Sequence, residues 1–341
     1  MCIQKCLICK EKNATKTNSH IIPSFLVAKI CSYDNSGQRD KDIIFSIDDT
    51  SVNLFIGQLP STKIEELLDY ENLTDERIEE LKKNPVALNF IFCPECEKKL
   101  ADYIEAPYAK FIKESKKISP DVSYMFWMSI AYRLSITQNL GFRLPYEIEY
   151  KLGDTLNKYI EARKNGNNFE DIIRNCGVSY KILYSPQFLQ DNSGGMYAEY
   201  SDEHKILTVI LGDIIVTFNF NKDFPKKYRF KGIESAIRRS PQNNGFENEK
   251  YKELSIKALN AIYLQLKNKV VKQKTEFYKN FTNIIWKEIG LPGEMPDNMF
   301  KFFLSSLSSE DTKLGERHTI QNMYDVFIKT LDFFGYKPKN K

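Results

Sequence analysis

The longest nearly unbroken apolar stretch runs from Val122 to Leu134, through Met125, Phe126, Trp127, Met128, Ile130, Ala131 and Tyr132. A helix that is apolar nearly all round must be buried, so this segment predicts the spine of a domain. Ser119-Pro120-Asp121 precedes it, a capping residue and a proline suited to the first helical turn. Arg133 interrupts the run, and a buried ion pair is the first expectation for it, a phosphate contact the second. Past Pro145, the residues Ile148, Leu152, Leu156 and Ile160 form one helical stripe. The period then shortens to two. Residues 178–184, 196–200, 205–211 and 214–220 read as strands, and Gly212-Asp213 between β-branched runs signals a tight hairpin. Helical spacing returns from Glu247 to Gly290, with an expected break near Lys272, and again at about 297–307 and 316–334.

The first 118 residues are less regular. Residues 32–60, rich in Asp, Ser, Asn and Gly, read as loop with short strands such as Ile43-Ile44-Phe45. Ile64, Leu67, Leu68, Ile78 and Leu81 predict helix within 62–83, and Pro94 opens a helix expected to reach about 117. The fold class is α+β: a unit at 1–118 with a long insertion at about 32–88, then a mainly helical accessory domain at 119–341 with a small antiparallel sheet at about 178–220.

Composition narrows the class. No apolar run is long enough for a transmembrane helix, and the start lacks the core of a signal peptide, so no membrane partner and a cytoplasmic location are expected. A reducing compartment favours metal ligation over disulfides for paired cysteines. Of the seven cysteines, Cys2, Cys31 and Cys176 are isolated and read as small buried hydrophobes. The net charge of +4 does not by itself imply nucleic acid. Residues 1–118 carry 17 Lys/Arg against 19 Asp/Glu, whereas Lys222 to Arg239 concentrates cations among aromatic rings. Lys226, Lys227 and Arg229 there suit phosphate contacts, and equally suit a solvated loop around two buried aromatics.

The chemistry-bearing residues sit early. Cys6-Leu7-Ile8-Cys9 and Cys93-Pro94-Glu95-Cys96 are two Cys-x2-Cys pairs, a four-thiolate set of the kind that holds structural Zn2+. Between them lies Ser19-His20-Ile21-Ile22-Pro23. No Walker loop, dinucleotide fingerprint or hydrolase elbow is present.

A Cys-x2-Cys knuckle, a strand bearing a histidine and a helix opened by a second Cys-x2-Cys resemble the treble-clef zinc fold of the HNH, or His-Me finger, endonucleases. The family motif Asp-His-Ile-x-Pro is matched at 20–23 and departs at Ser19. Asn89, four residues before Cys93, is similar to the family's middle asparagine. Glu97 stands where the family has Asn or His. The resemblance covers roughly residues 6–112. It implies an N-terminal treble-clef/ββα-metal domain and metal-dependent phosphodiester hydrolysis, with His20 and Asn89 in the catalytic site. His20, Glu97 and Glu105 would surround a catalytic Mg2+ or Mn2+, since Glu97 and Glu105 share a helix face and supply hard oxygen ligands. Lys98 and Lys99 would contact nucleic acid, DNA ahead of RNA. Proteins of this plan are often anti-phage defence effectors, which implies a regulatory protein partner or an oligomer. The alternative is a non-catalytic zinc-finger binding or scaffold protein.

Overall fold

The structure is a computed structural model that describes residues 4–17, 19–31, 42–45, 54–57, 87–114, 118–138, 140–191, 194–314 and 320–336. In chain order the described elements begin with β1 (Ser19–His20), α1 (Ser24–Cys31), β2 (Asp42–Phe45), β3 (Leu54–Gly57) and β4 (Ala87–Leu88). There follow α2 (Pro94–Leu100), a π-helical turn (Ala101–Glu105), α3 (Ala106–Glu114), α4 (Pro120–Thr137), α5 (Tyr146–Asn165) and α6 (Glu170–Cys176). Then come β5 (Ser179–Tyr184), α7 (Phe188–Asp191), β6 (Met196–Ser201), β7 (Ile206–Leu211), β8 (Ile214–Asn219), α8 (Glu234–Arg239) and β9 (Lys252–Glu253). Three helices complete the order: α9 (Ile256–Glu288), α10 (Asp297–Leu314) and α11 (Ile320–Phe333). The expected helix at 62–83, together with Cys2 and His318, lies outside the described residues.

The chain is mixed α+β and forms two compact units, one of residues 1–58 and 83–263 and one of residues 59–82 and 264–341. The boundary expected between 118 and 119 falls inside the first of them. One hydrophobic cluster there includes Cys6, Ile21, Phe92, Phe126, Tyr180 and Phe218, which binds the cysteine region to the helices and the sheet. The second unit has its own core of Trp286, Phe303, Met323 and Phe327.

Helix α4 is the spine that its composition demands. Every residue from Asp121 to Ser135 is buried, the polar ones included. Its polar groups are therefore paired: Tyr159 donates to Asp121 at 2.6 Å, and Ser135 donates to Glu149 at 2.7 Å. Helix α5 approaches it closely at Gly153, where a β-carbon would meet the Tyr132 ring at 2.9 Å. Gln138 closes α4 in the left-handed region, its amide bonded to Leu134 and Ser135.

The large sheet has the order β2-β3-β6-β7-β8-β5-β9. Strands β5 to β8 fall at the expected β-branched and aromatic runs, with β7 and β8 buried on both faces. The β7–β8 hairpin pairs Leu211 with Ile214, and Gly212 takes φ +62°, as a II′ turn needs at its first central position. Four expectations change. The sheet is not confined to the accessory segment, because β3 from the expected insertion pairs with β6 through Phe55 and Met196. It is not purely antiparallel either, since β9 runs parallel to β5. Residues 247–255, expected to be helical, instead carry β9, and Asn243 ties them down by exchanging hydrogen bonds with Lys250. Helix α9 then runs unbroken through Lys272, where nothing in the sequence removes a backbone donor.

Candidate metal centre and histidine site

Strands β1 and β4 form their own antiparallel pair, Ser19 opposite Leu88 and His20 opposite Ala87, and α2 follows β4 after a short turn. The result is a strand–strand–helix unit clasped by cysteines. The sulfur atoms of Cys6, Cys9, Cys93 and Cys96 all lie within 4.8 Å of one another. Tetrahedral zinc with Zn–S bonds near 2.3 Å puts sulfurs about 3.8 Å apart, so this cluster can hold such an ion with little adjustment.

Local geometry explains the convergence. The first knuckle closes by a Lys10 N–H to Cys6 carbonyl bond of 2.8 Å, which Lys10 reaches by adopting φ +59°. The second opens α2, with Cys93 as cap, Pro94 in the first turn and the Cys96 amide donating to the Cys93 sulfur at 3.4 Å. Leu7 N–H then donates to the Ile91 carbonyl at 3.1 Å, locking one knuckle to the other. A hydrogen bond from Cys96 holds the Cys6 thiol down to about 4, and the interaction with Cys6 and burial together push Cys96 up.

His20 ends β1 half-exposed, while Ser19 before it is fully buried, as strand alternation requires. The backbone of His20 is held from below: its carbonyl accepts from the Arg133 guanidinium at 2.8 Å. That guanidinium is itself buried and pairs with Glu105 at 2.6 Å, with further bonds to the Ser129 carbonyl and hydroxyl. Arg133 thus makes the buried ion pair expected of it. Tyr132, the residue before it, donates to the Leu7 carbonyl at 2.5 Å. Two adjacent residues of the spine helix therefore fix both the first knuckle and the histidine strand.

Glu97 and Glu105 lie on the second-knuckle helix, as the spacing anticipates. Pro107 cannot donate to the Tyr103 carbonyl, and the chain widens into the π turn just before it, with Ala106 N–H reaching back to Ala101. That wide turn carries Glu105 towards Arg133. Glu97 differs. Its Oε2 is buried without a hydrogen-bond partner, and so is the Ser19 hydroxyl. Burial pushes the Glu97 carboxyl up, opposed by nearby Ser19 and by the charge of Arg133. Ser19 lies close enough to favour the ionised carboxylate without meeting hydrogen-bond geometry to it.

The other nominated residues are dispersed. Asn89 is exposed, one residue beyond β4. Lys98 pairs with Asp102 at 2.6 Å, and Lys99 reaches Glu95 at 3.0 Å and Glu161 at 2.5 Å. Burial works against the Lys99 charge, yet the two carboxylates raise its pKa overall. Glu95, also bonded by Lys12, is held down to about 2. Lys226, Lys227 and Arg229 are exposed in the same unit, but the interleaved Tyr228 and Phe230 are buried and stack on each other. That segment offers charge, with its remaining ring, Phe224, half-buried against Lys181 and Tyr228. His204 stacks edge-on against Tyr228, and Cys176 is buried in the small-hydrophobe role expected of it.

Sequence reading missed Ser19 as a buried polar partner and Arg133 as the group beneath His20. The first was visible only as a departure from a motif, the second only as a lone cation in an apolar run. Comparison with family models, curated proteins and solved structures finds no match for this chain.

Proposed function

We propose that this protein is a zinc-stabilised, metal-dependent phosphodiesterase of the HNH type acting on nucleic acid. The observation that carries the reading is the placement of His20 at the edge of a two-stranded, one-helix unit whose strands and helix are clasped by Cys6, Cys9, Cys93 and Cys96. In this reading the unit is a treble clef, and the four thiolates hold structural zinc. His20 is the general base, accepting a proton from the water that attacks phosphorus, and general acid–base catalysis of this kind contributes about 10²- to 10⁴-fold.

Among the described residues only the four cysteines lie close enough together to form a ready metal group, so the catalytic cation of this reading takes its oxygens from side chains that close on it together with the phosphate. Glu97 keeps a buried oxygen with no partner, Ser19 adds a buried hydroxyl, and both are hard donors of the sort that Mg2+ or Mn2+ takes. Glu105 gives one oxygen to Arg133 and has the other for the cation. Bound there, a divalent ion supplies charge stabilisation to the phosphate and the leaving oxygen. Arg133 contributes by fixing the His20 backbone and moderating the repulsion between the two carboxylates.

The test is incubation of the purified protein with plasmid, single-stranded DNA and RNA, each with Mg2+, Mn2+ or chelator. His20→Ala should lose cleavage and keep both its zinc content and its melting temperature. Cleavage that survives His20→Ala would overturn the assignment. A scaffold reading has one observation in its favour, the engagement of Glu105 by Arg133. It requires that the wild-type protein bind nucleic acid or protein and cut nothing under any cation.

A further inference from the structure

We infer that Phe90, with Lys16 beside it, forms a finger that stacks on a nucleobase next to the histidine site, Lys16 taking the adjoining phosphate. The inference rests on the nuclease reading and adds a substrate contact that the motif does not supply.

Phe90 is unusual in two independent ways. Its ring is 53% exposed, although it belongs to the short segment joining β4 to α2, whose next residues Ile91, Phe92 and Cys93 are all buried. Its backbone takes φ +62°, the left-handed region, which a bulky residue with a β-carbon adopts only against a steric cost. Glycine or asparagine would sit there more easily. A strained conformation survives only where the surroundings over-determine it, and they do here. Phe90 N–H donates to the Lys16 carbonyl at 2.7 Å, and Lys16 N–H donates to the Phe92 carbonyl at 3.1 Å. Lys16 thus grips the chain on both sides of the residue, and the strain leaves an aromatic ring standing in water.

The surroundings choose the occupant. Phe90 follows Asn89 directly and lies two residues after Leu88, the pairing partner of Ser19. Lys16 is exposed, and its charge is felt by the Glu97 carboxylate. The segment 5–16 carries exposed Lys5, Lys10, Lys12 and Lys16 against Glu11, and of these cations Lys12 is committed to Glu95. An exposed ring flanked by lysines matches a base flanked by phosphates, because every base offers a π face and every nucleotide a negative charge. The segment Lys222 to Arg239 lacks this pairing, since Tyr228 and Phe230 are buried and the half-buried Phe224 ring already packs against Lys181 and Tyr228.

The experiment uses the full-length zinc-loaded protein in a His20→Ala background, so that substrate stays intact. It is titrated with single-stranded DNA and RNA oligonucleotides bearing one fluorescent 2-aminopurine. Binding should quench the fluorophore in one register. Phe90→Gly, which relieves the left-handed strain and so folds at least as well, should bind about 5- to 100-fold more weakly and lose the quench, the range expected for one stacked base. Phe90→Trp should keep both. Lys16→Gln should lower the slope of log affinity against log salt by about one unit. Equal affinity and undiminished quenching in Phe90→Gly overturn the stacking role while cleavage by the His20 protein keeps the nuclease reading. Absence of any oligonucleotide binding by the wild type, DNA and RNA alike, overturns both.

Discussion

Two charged groups contact the spine helix, Arg133 on it and Glu249 bonded to its Trp127, and they are accommodated by different means. Arg133 meets a formal counter-charge, Glu105, along with two carbonyls and a hydroxyl. Glu249 instead takes hydrogen bonds from three neutral groups, Tyr108 at 2.8 Å, Trp127 at 2.7 Å and Tyr180 at 2.9 Å. The first arrangement fixes His20, and the second ties the 243–252 segment to the core. A charge held by a counter-charge leaves an orphan when either partner goes. A charge solvated by dipoles keeps its partners satisfied, but its cost of burial varies with pH. The candidate site is built on the first kind of support, beside a four-cysteine cluster that can hold a metal.

Metal loss should separate the two regions most widely. Structural zinc sites hold about 10–16 kcal/mol of apparent binding free energy, and an ion held by the four cysteines would close a loop whose ends, Cys9 and Cys93, are 84 positions apart. Chelation, or Cys93→Ser, should strip exchange protection from the amides of 5–20 and 87–100. The amides of β5, β7 and β8 should keep theirs. Uniform loss across both sets would show that the sheet depends on the cysteine site as well.

Arg133→Met ranks next. It leaves Glu105 partly buried without its partner and frees the His20 carbonyl, a change costing about 3–5 kcal/mol by analogy with other broken buried pairs. Adding Glu105→Gln should recover part of that loss, since the orphaned charge disappears with it. Denaturant unfolding of the single and double variants measures the coupling. Additive costs in the double variant would mean that the pair contributes no coupling energy.

Glu249→Gln should cost only about 1 kcal/mol near neutral pH, because an amide can still accept from Trp127 and Tyr180 and donate to Tyr108. The informative readout is pH. Burial raises the Glu249 pKa in the folded state, so over the window between its unfolded and folded values the folded protein binds more protons than the unfolded chain. Stability conferred by this group is then present below the unfolded value and is lost as pH rises through the folded one. Wild type minus Glu249→Gln should therefore decline across that window and flatten above it. A flat difference would place the carboxylate in a less costly setting than the structure shows.

Periodicity made much of this fold legible in advance. The α4 spine follows from Val122 to Leu134 being apolar nearly all round, and four strands follow from β-branched and aromatic runs and one Gly-Asp turn. The sulfur cluster follows from spacing alone. What escaped was long-range pairing. Nothing in Leu54–Gly57 announces a partner at Met196, and nothing in Lys252–Glu253 announces a parallel bond to β5. Such pairings are set by tertiary context, which local propensity does not carry. The support beneath His20 escaped for the same reason, since 113 residues separate it from Arg133.

The smallest effect is expected where charge is neither buried nor paired to the site. Lys226, Lys227 and Arg229 are exposed around Tyr228 and Phe230, whose rings pack inward, Tyr228 bonding Thr208 at 2.8 Å. Reversing the three cations to Glu touches no buried group, so stability should move by less than about 0.5 kcal/mol. If the nuclease reading holds, the segment would act mainly through phosphate charge, its one half-buried ring, Phe224, being packed against Lys181 and Tyr228. The triple variant should lower nucleic-acid affinity at low salt, converge on the wild type as salt rises, and reduce the salt slope by at most about three. It should leave the 2-aminopurine quench at Phe90 unchanged. A weakened quench would mean that this segment and the histidine site hold the same stretch of strand, and an unchanged slope would reduce the segment to a solvated loop.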